Sequence, residues 1–82
     1  MAKHSFCRKY LSAVRRDIKG AGIKVNLYVW GPHLGMYEVY DSPVSSYNHV
    51  VWCGVACCKW EAMGKALLAV LEEHDEEITE SG

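Results

Sequence analysis

The chemically versatile side chains in this chain are its four cysteines and four histidines. His4 and Cys7 stand three residues apart, and Cys53 and Cys57 stand four apart. If a helix brought the first pair to the second, His4, Cys7, Cys53 and Cys57 would supply the four nitrogen and sulfur ligands of a closed zinc site. Against this, the spacing matches no compact zinc signature, and cysteine is commonly buried without a metal. The expectation is therefore packed thiols, with no metal and no cofactor. As nucleophiles, Cys7, Cys53, Cys57 and Cys58 have no sequence context resembling a nucleophile–base constellation. A chain of 82 residues also has little room for a deep pocket, so a protein without catalytic activity is expected.

A second set of residues suits contact rather than bond-making. From Ile23 to Asp41 the sequence alternates with the period of a strand. Ile23, Val25, Leu27 and Val29 share one side, joined after a turn at Gly31–Gly35 by Tyr37 and Val39. Lys24, Asn26, Tyr28 and Trp30 share the other, joined by Glu38 and Tyr40. One side is aliphatic and the other is aromatic and polar. A third strand is expected over 49–55, and its Trp52 is placed with Tyr28, Trp30 and Tyr40. Tyr and Trp are enriched at protein interfaces and among their hot spots, so these four are the expected protein-contact residues.

The elements that position these residues follow from periodicity. Phe6, Cys7, Tyr10, Leu11, Val14 and Ile18 form one apolar stripe of a first helix, capped by Ser5 and stopped at Gly20 and Gly22. Pro43, three serines and Asn48 make a loop over 42–48. From about Cys57 to Glu77 the period returns to that of a helix, with Trp60, Met63, Leu67, Val70, Leu71 and His74 as the stripe. Ala62, Ala66 and Ala69 keep a neighbouring side thin enough to lie close on a sheet. The expected fold is α+β, in the order α-β-β-β-α, with both helices on one face of a three-stranded antiparallel sheet. Residues 1–77 form the single domain and 78–82 a disordered tail.

Charge is distributed unevenly. Residues 1–24 hold seven Lys and Arg against Asp17, whereas residues 59–82 hold Lys59 and Lys65 against seven acids. No apolar run approaches the roughly 20 residues a membrane helix needs. With no signal-like start and no disulfide-like cysteine spacing, a soluble cytoplasmic protein is expected, with no membrane partner.

The order and the turn carry a resemblance. Gly31-Pro32-His33 followed by Tyr37, and Gly54-Val55-Ala56 running into Lys59, Ala62, Ala66, Ala69 and Leu71, resemble the double-stranded RNA-binding domain family from about Ser5 to Leu71. The resemblance implies a duplex-RNA surface built from Arg8, Lys9, Arg15, Arg16, His33, Lys59 and Lys65. The lysine cluster with which that family grips phosphates across the major groove is here reduced to Lys59, with Glu61 close by. Because duplex RNA is recognised largely through phosphate and 2′-hydroxyl contacts, that reduction lowers the expected affinity. The leading expectation is therefore a small protein-binding module using its aromatic sheet face, with another protein or a second copy as partner. Its size and character are compatible with a phage-encoded inhibitor such as an anti-CRISPR protein. Duplex-RNA binding is the alternative.

Overall fold

The computed structural model describes the backbone of residues 4–33, 35–41 and 50–81, and the side chains of these apart from 32, 33 and 76–81. The loop expected over 42–48 and the start of the third strand at His49 lie outside the described residues.

Helix α1, Ser5–Gly20, buries Cys7, Leu11, Val14 and Ile18. Their spacing of four, three and four keeps them on one stripe. Phe6 was expected on that stripe but is 80% exposed, because it sits about 100° around the helix from Cys7. The helix also starts one residue earlier than expected: His4 is the N-cap, without a side-chain cap bond, and Ser5, the expected cap, is already helical. Its end is a Schellman motif. Gly22, at φ 75°, donates its N–H to Lys19 O, and Ile23 donates to Ile18 O. Ile23 then packs on the cluster that holds Ile18, turning the chain back along α1.

Three antiparallel strands follow: β1 (Tyr28–His33), β2 (Met36–Tyr40) and β3 (Val50–Val55), in spatial order β1-β2-β3. The fold is α+β with the expected element order, closed by α2 (Lys59–Ser81). The helical assignment thus continues past Glu77, where periodicity ended it. β1 opens at Tyr28 rather than Ile23 because Tyr28 is already paired with Tyr40, the last residue of β2. Ile23, Val25 and Leu27 instead pack against Leu11, Val14, Ile18 and Leu67. The register slips between Trp30 and His33, so Gly31 and Pro32 fall in the irregularity and Pro32 sits where strands tolerate a missing N–H.

The core has two parts joined through α2. One side of α2 offers Leu67, with Trp60, Met63 and Val70, to α1. The thin side brings Ala62 and Ala66 onto Val39, the only large side chain that is fully buried among the described residues. α2 therefore covers the aliphatic side of the sheet, and α1 packs behind it. α2 lies over all three strands, and α1 lies against α2 and the 23–27 segment.

Candidate functional site

The side of the sheet away from the helices can be read from the register, since directly opposed residues share a face. Tyr28 opposes Tyr40, which opposes Val50; Trp30 opposes Glu38, which opposes Cys53; Met36 opposes Val55. These rows form one surface. Trp30 is 50% exposed and Val55 67%, with Tyr28, Met36 and Val50 also exposed. The charge in the middle is Glu38, which accepts a hydrogen bond from the Tyr40 hydroxyl. That bond is the main cause that pushes the Tyr40 phenol above its ordinary range, followed by burial and by the charge of Glu38 itself.

Three of the four expected contact residues, Tyr28, Trp30 and Tyr40, lie on this face. Trp52 does not. It opposes Val39 and packs on the cluster of Val39, Ala56, Ala62 and Ala66 on the helix-covered side, as do Leu27, Val29, Tyr37 and Val51. Trp52 lies in the regular run of pairs opposite the buried Val39, which seats it inward and leaves Cys53 and Val55 outward; the irregularity between Val39 and Tyr40 acts on the other end of β3, where it sets Val50 opposite Tyr40. Met36, Val50, Cys53 and Val55 were missed as members of the open face. Met36 could have been found by extending the alternation of Glu38 and Tyr40 back by two residues; the irregularity in β3 has no sequence signal.

A second constellation sits on the other side of the molecule, where α1 starts against the turn into α2. His4, Cys7, Cys57 and Cys58 each offer one ligand atom, and all four atoms lie within 4.8 Å of one another. Cys7 Sγ is 3.1 Å from Cys57 Sγ, and Cys57 Sγ is 3.6 Å from Cys58 Sγ. Cys7 and Cys58 are buried, while Cys57 is exposed. The set weighed and set aside on spacing, His4, Cys7, Cys53 and Cys57, differs from this cluster at one position. Cys53 is on the open sheet face, and Cys58 takes its place.

Local structure explains the gathering. His4 and Cys7 are one turn apart at the start of α1. Cys58 precedes the first residue of α2, and its carbonyl accepts the first helical bond, from Ala62 N–H. Glu61 reaches back to accept the Cys57 N–H at 3.1 Å, which fixes the turn in the manner of a capping box. Burial raises the Cys58 thiol. Hydrogen bonds from the Glu61 N–H, from the Cys7 and Cys57 thiols and from the Trp60 N–H outweigh it and leave Cys58 below the usual thiol range. Cys57, whose proton is shared with Cys7 and Cys58, is pushed up to about 12. The Trp60 ring covers the cluster's flank: the His4 ring lies 5.4 Å from it, the Arg8 guanidinium 4.6 Å and the Lys59 ammonium 5.1 Å.

The basic residues that the RNA resemblance implies divide into groups. Arg8 and Lys59 each lie against the Trp60 ring, and Arg15 and Lys59 line a cleft of about 360 Å³ with Leu11, Leu27, Trp60 and Met63. Lys65 turns away from them, donating to Val55 O at 3.1 Å, pairing with Glu61 at 3.5 Å and lying over the Trp52 ring. Lys9 and Arg16 are exposed on α1. The His33 side chain lies outside the described residues. No helix among the described residues is long and apolar enough to cross a membrane. No protein-family model matches the chain, and no curated protein or solved structure matches it.

Proposed function

We propose that this protein is a small non-catalytic protein-binding module whose contact surface is the open face of the sheet. One observation carries the reading. Of the seven large apolar side chains most exposed among the described residues, Tyr28, Trp30, Met36, Val50 and Val55 all stand on that one face. Monomers rarely expose contiguous apolar patches beyond a few hundred Å² unless the patch is used. Its aromatic centre, interrupted only by a Glu38 already engaged by Tyr40, suits a partner surface that is apolar in the middle and polar at its rim. The role is that of an inhibitor or a bridge, since covering a partner's surface needs no pocket.

The test compares the wild type with Trp30→Glu. Panning a random peptide library should enrich sequences that bind the wild type and not the variant. Sedimentation of both proteins over a range of concentrations then tells whether a second copy competes for the same face. A library that enriches nothing, or enriches equally on both proteins, combined with a wild type that stays monomeric, would overturn the reading.

The placing of Arg8 and Lys59 against the Trp60 ring, with Arg15 and Lys59 along the adjoining cleft, supports duplex-RNA binding as a second reading. A band-shift titration at two salt concentrations tests it. Binding that weakens steeply with salt and is lost in Arg8→Gln with Lys59→Gln favours RNA; no shift removes it.

A further inference from the structure

We propose that His4, Cys7, Cys57 and Cys58 form a structural zinc site that pins the start of α1 to the start of α2. Zinc bound by three thiolates and an imidazole needs bonds of about 2.0–2.3 Å, which sets its ligand atoms roughly 3.3–3.8 Å apart in a tetrahedron. The observed separations, 3.1 Å for Cys7–Cys57 and 3.6 Å for Cys57–Cys58, with all four atoms within 4.8 Å, lie within a few tenths to one ångström of that geometry. Small rotations of side chains at two helix starts are enough to close it.

The donor set selects the metal. Three sulfurs and one imidazole nitrogen, with no carboxylate among them, form the soft tetrahedral environment that zinc takes in structural sites. Four protein ligands leave no open position, so the site holds the fold and performs no reaction. A single disulfide between Cys7 and Cys57 is the competing outcome. It would join only two of the four side chains, and would leave unexplained why the Cys58 thiol and the His4 ring converge on the same point.

The surroundings fit a bound metal. The ligands of such a site sum to one net negative charge with zinc: three thiolates against a divalent ion. Two cations, Arg8 and Lys59, flank it over Trp60, whose ring also braces the His4 imidazole. Glu61 accepts the Cys57 N–H with one carboxylate oxygen and stands 3.7 Å from Cys57 Sγ with the other, holding that residue in place beside the ligand set. Such outer partners orient metal ligands in known sites. The domain also has use for a staple. Small chains bury a limited fraction of their surface, and here only one large side chain is fully buried among the described residues. Cys7 and Cys57 are fifty residues apart in sequence, so the link closes most of the domain.

The experiment loads fully reduced wild-type protein with Co(II), reads the absorption of a tetrahedral thiolate complex, and displaces the cobalt with zinc. Bound zinc is counted by elemental analysis. The wild type should take up one metal per chain with that spectrum, Cys53→Ser should keep it, and Cys58→Ser should lose it. The cobalt titration of the wild type stands alone if Cys58→Ser does not fold. Substoichiometric metal, an octahedral spectrum, retention of the full site in folded Cys58→Ser, or a Cys7–Cys57 disulfide found by mass spectrometry of unreduced protein would each overturn the proposal.

Discussion

A Cβ added at Gly64 would stand 2.5 Å from the Tyr10 ring, so α2 meets α1 there with backbone against aromatic face. Glycine in a helix interior costs about 1 kcal/mol relative to alanine, and this contact is what offsets it. Gly64→Ala should lower stability despite the better propensity, because overpacking of a tight contact costs about 1–3 kcal/mol. In a Tyr10→Ala background the same substitution should become stabilising by about 1 kcal/mol, since propensity alone remains. Urea unfolding of the four proteins reads the reversal of sign; the same sign in both backgrounds would refute the contact.

Trp30 and Trp52 should respond in opposite ways to removal. Trp30 is half exposed on the open face, so Trp30→Ala should change stability by no more than about 0.5 kcal/mol. Trp52 packs on the buried cluster of Val39, Ala56, Ala62 and Ala66 beneath α2, so Trp52→Ala should cost about 2 kcal/mol or more. Thermal melts followed by far-UV circular dichroism compare them. Equal losses would mean that the two indoles share an environment.

The difference between those two tryptophans also marks how far the sequence could be read. Repeating patterns were legible: the stripe Cys7, Leu11, Val14 and Ile18, the alternation from Ile23 to Val29, and the alanines that bring α2 onto Val39. Each is a local consequence of helix or strand geometry. Trp52 was not legible, because alternation within β3 defines two sides but not which one faces α2; pairing opposite the buried Val39 decides it, and that pairing arises between strands. The cysteine site failed by the same kind of parity. His4, Cys7 and Cys57 do come together, but Cys53 is a strand residue facing out, whereas Cys58 is held inward as the residue that precedes α2. Spacing could indicate candidate ligands, but only packing could choose between neighbours.

Tyr40 should titrate later than the other tyrosines. Its hydroxyl donates to Glu38, and that bond, then burial, favours the protonated phenol. A folded-state value above the unfolded one, about 10, means the contribution to stability is complete below that pH. It is lost as the pH rises from there through the folded value. Ultraviolet difference titration should place one phenol above the rest, and Glu38→Gln should bring it back towards them. A Tyr40 transition that does not move in Glu38→Gln would remove the carboxylate as its cause.

Lys65 separates packing from charge. Its ammonium donates to Val55 O at 3.1 Å and pairs with Glu61 at 3.5 Å, while the side chain crosses the Trp52 ring. The ion pair is partly exposed, so losing it should cost well under about 1 kcal/mol. The ammonium lies 5.8 Å from the Trp52 ring centroid, so the aliphatic stem that carries it there should cover part of that ring, and that part survives in Lys65→Met but not in Lys65→Ala. Alanine should therefore be the more damaging change, by about 0.5–1 kcal/mol, and added salt should leave the gap between the two variants unchanged. Because the ammonium is directed at β3 and not at the Arg8–Lys59 group over Trp60, Lys65→Met should also leave any duplex-RNA affinity unaltered. Denaturant unfolding at two ionic strengths orders the variants. Equal losses for methionine and alanine would show that charge, not the stem, anchors this side of Trp52.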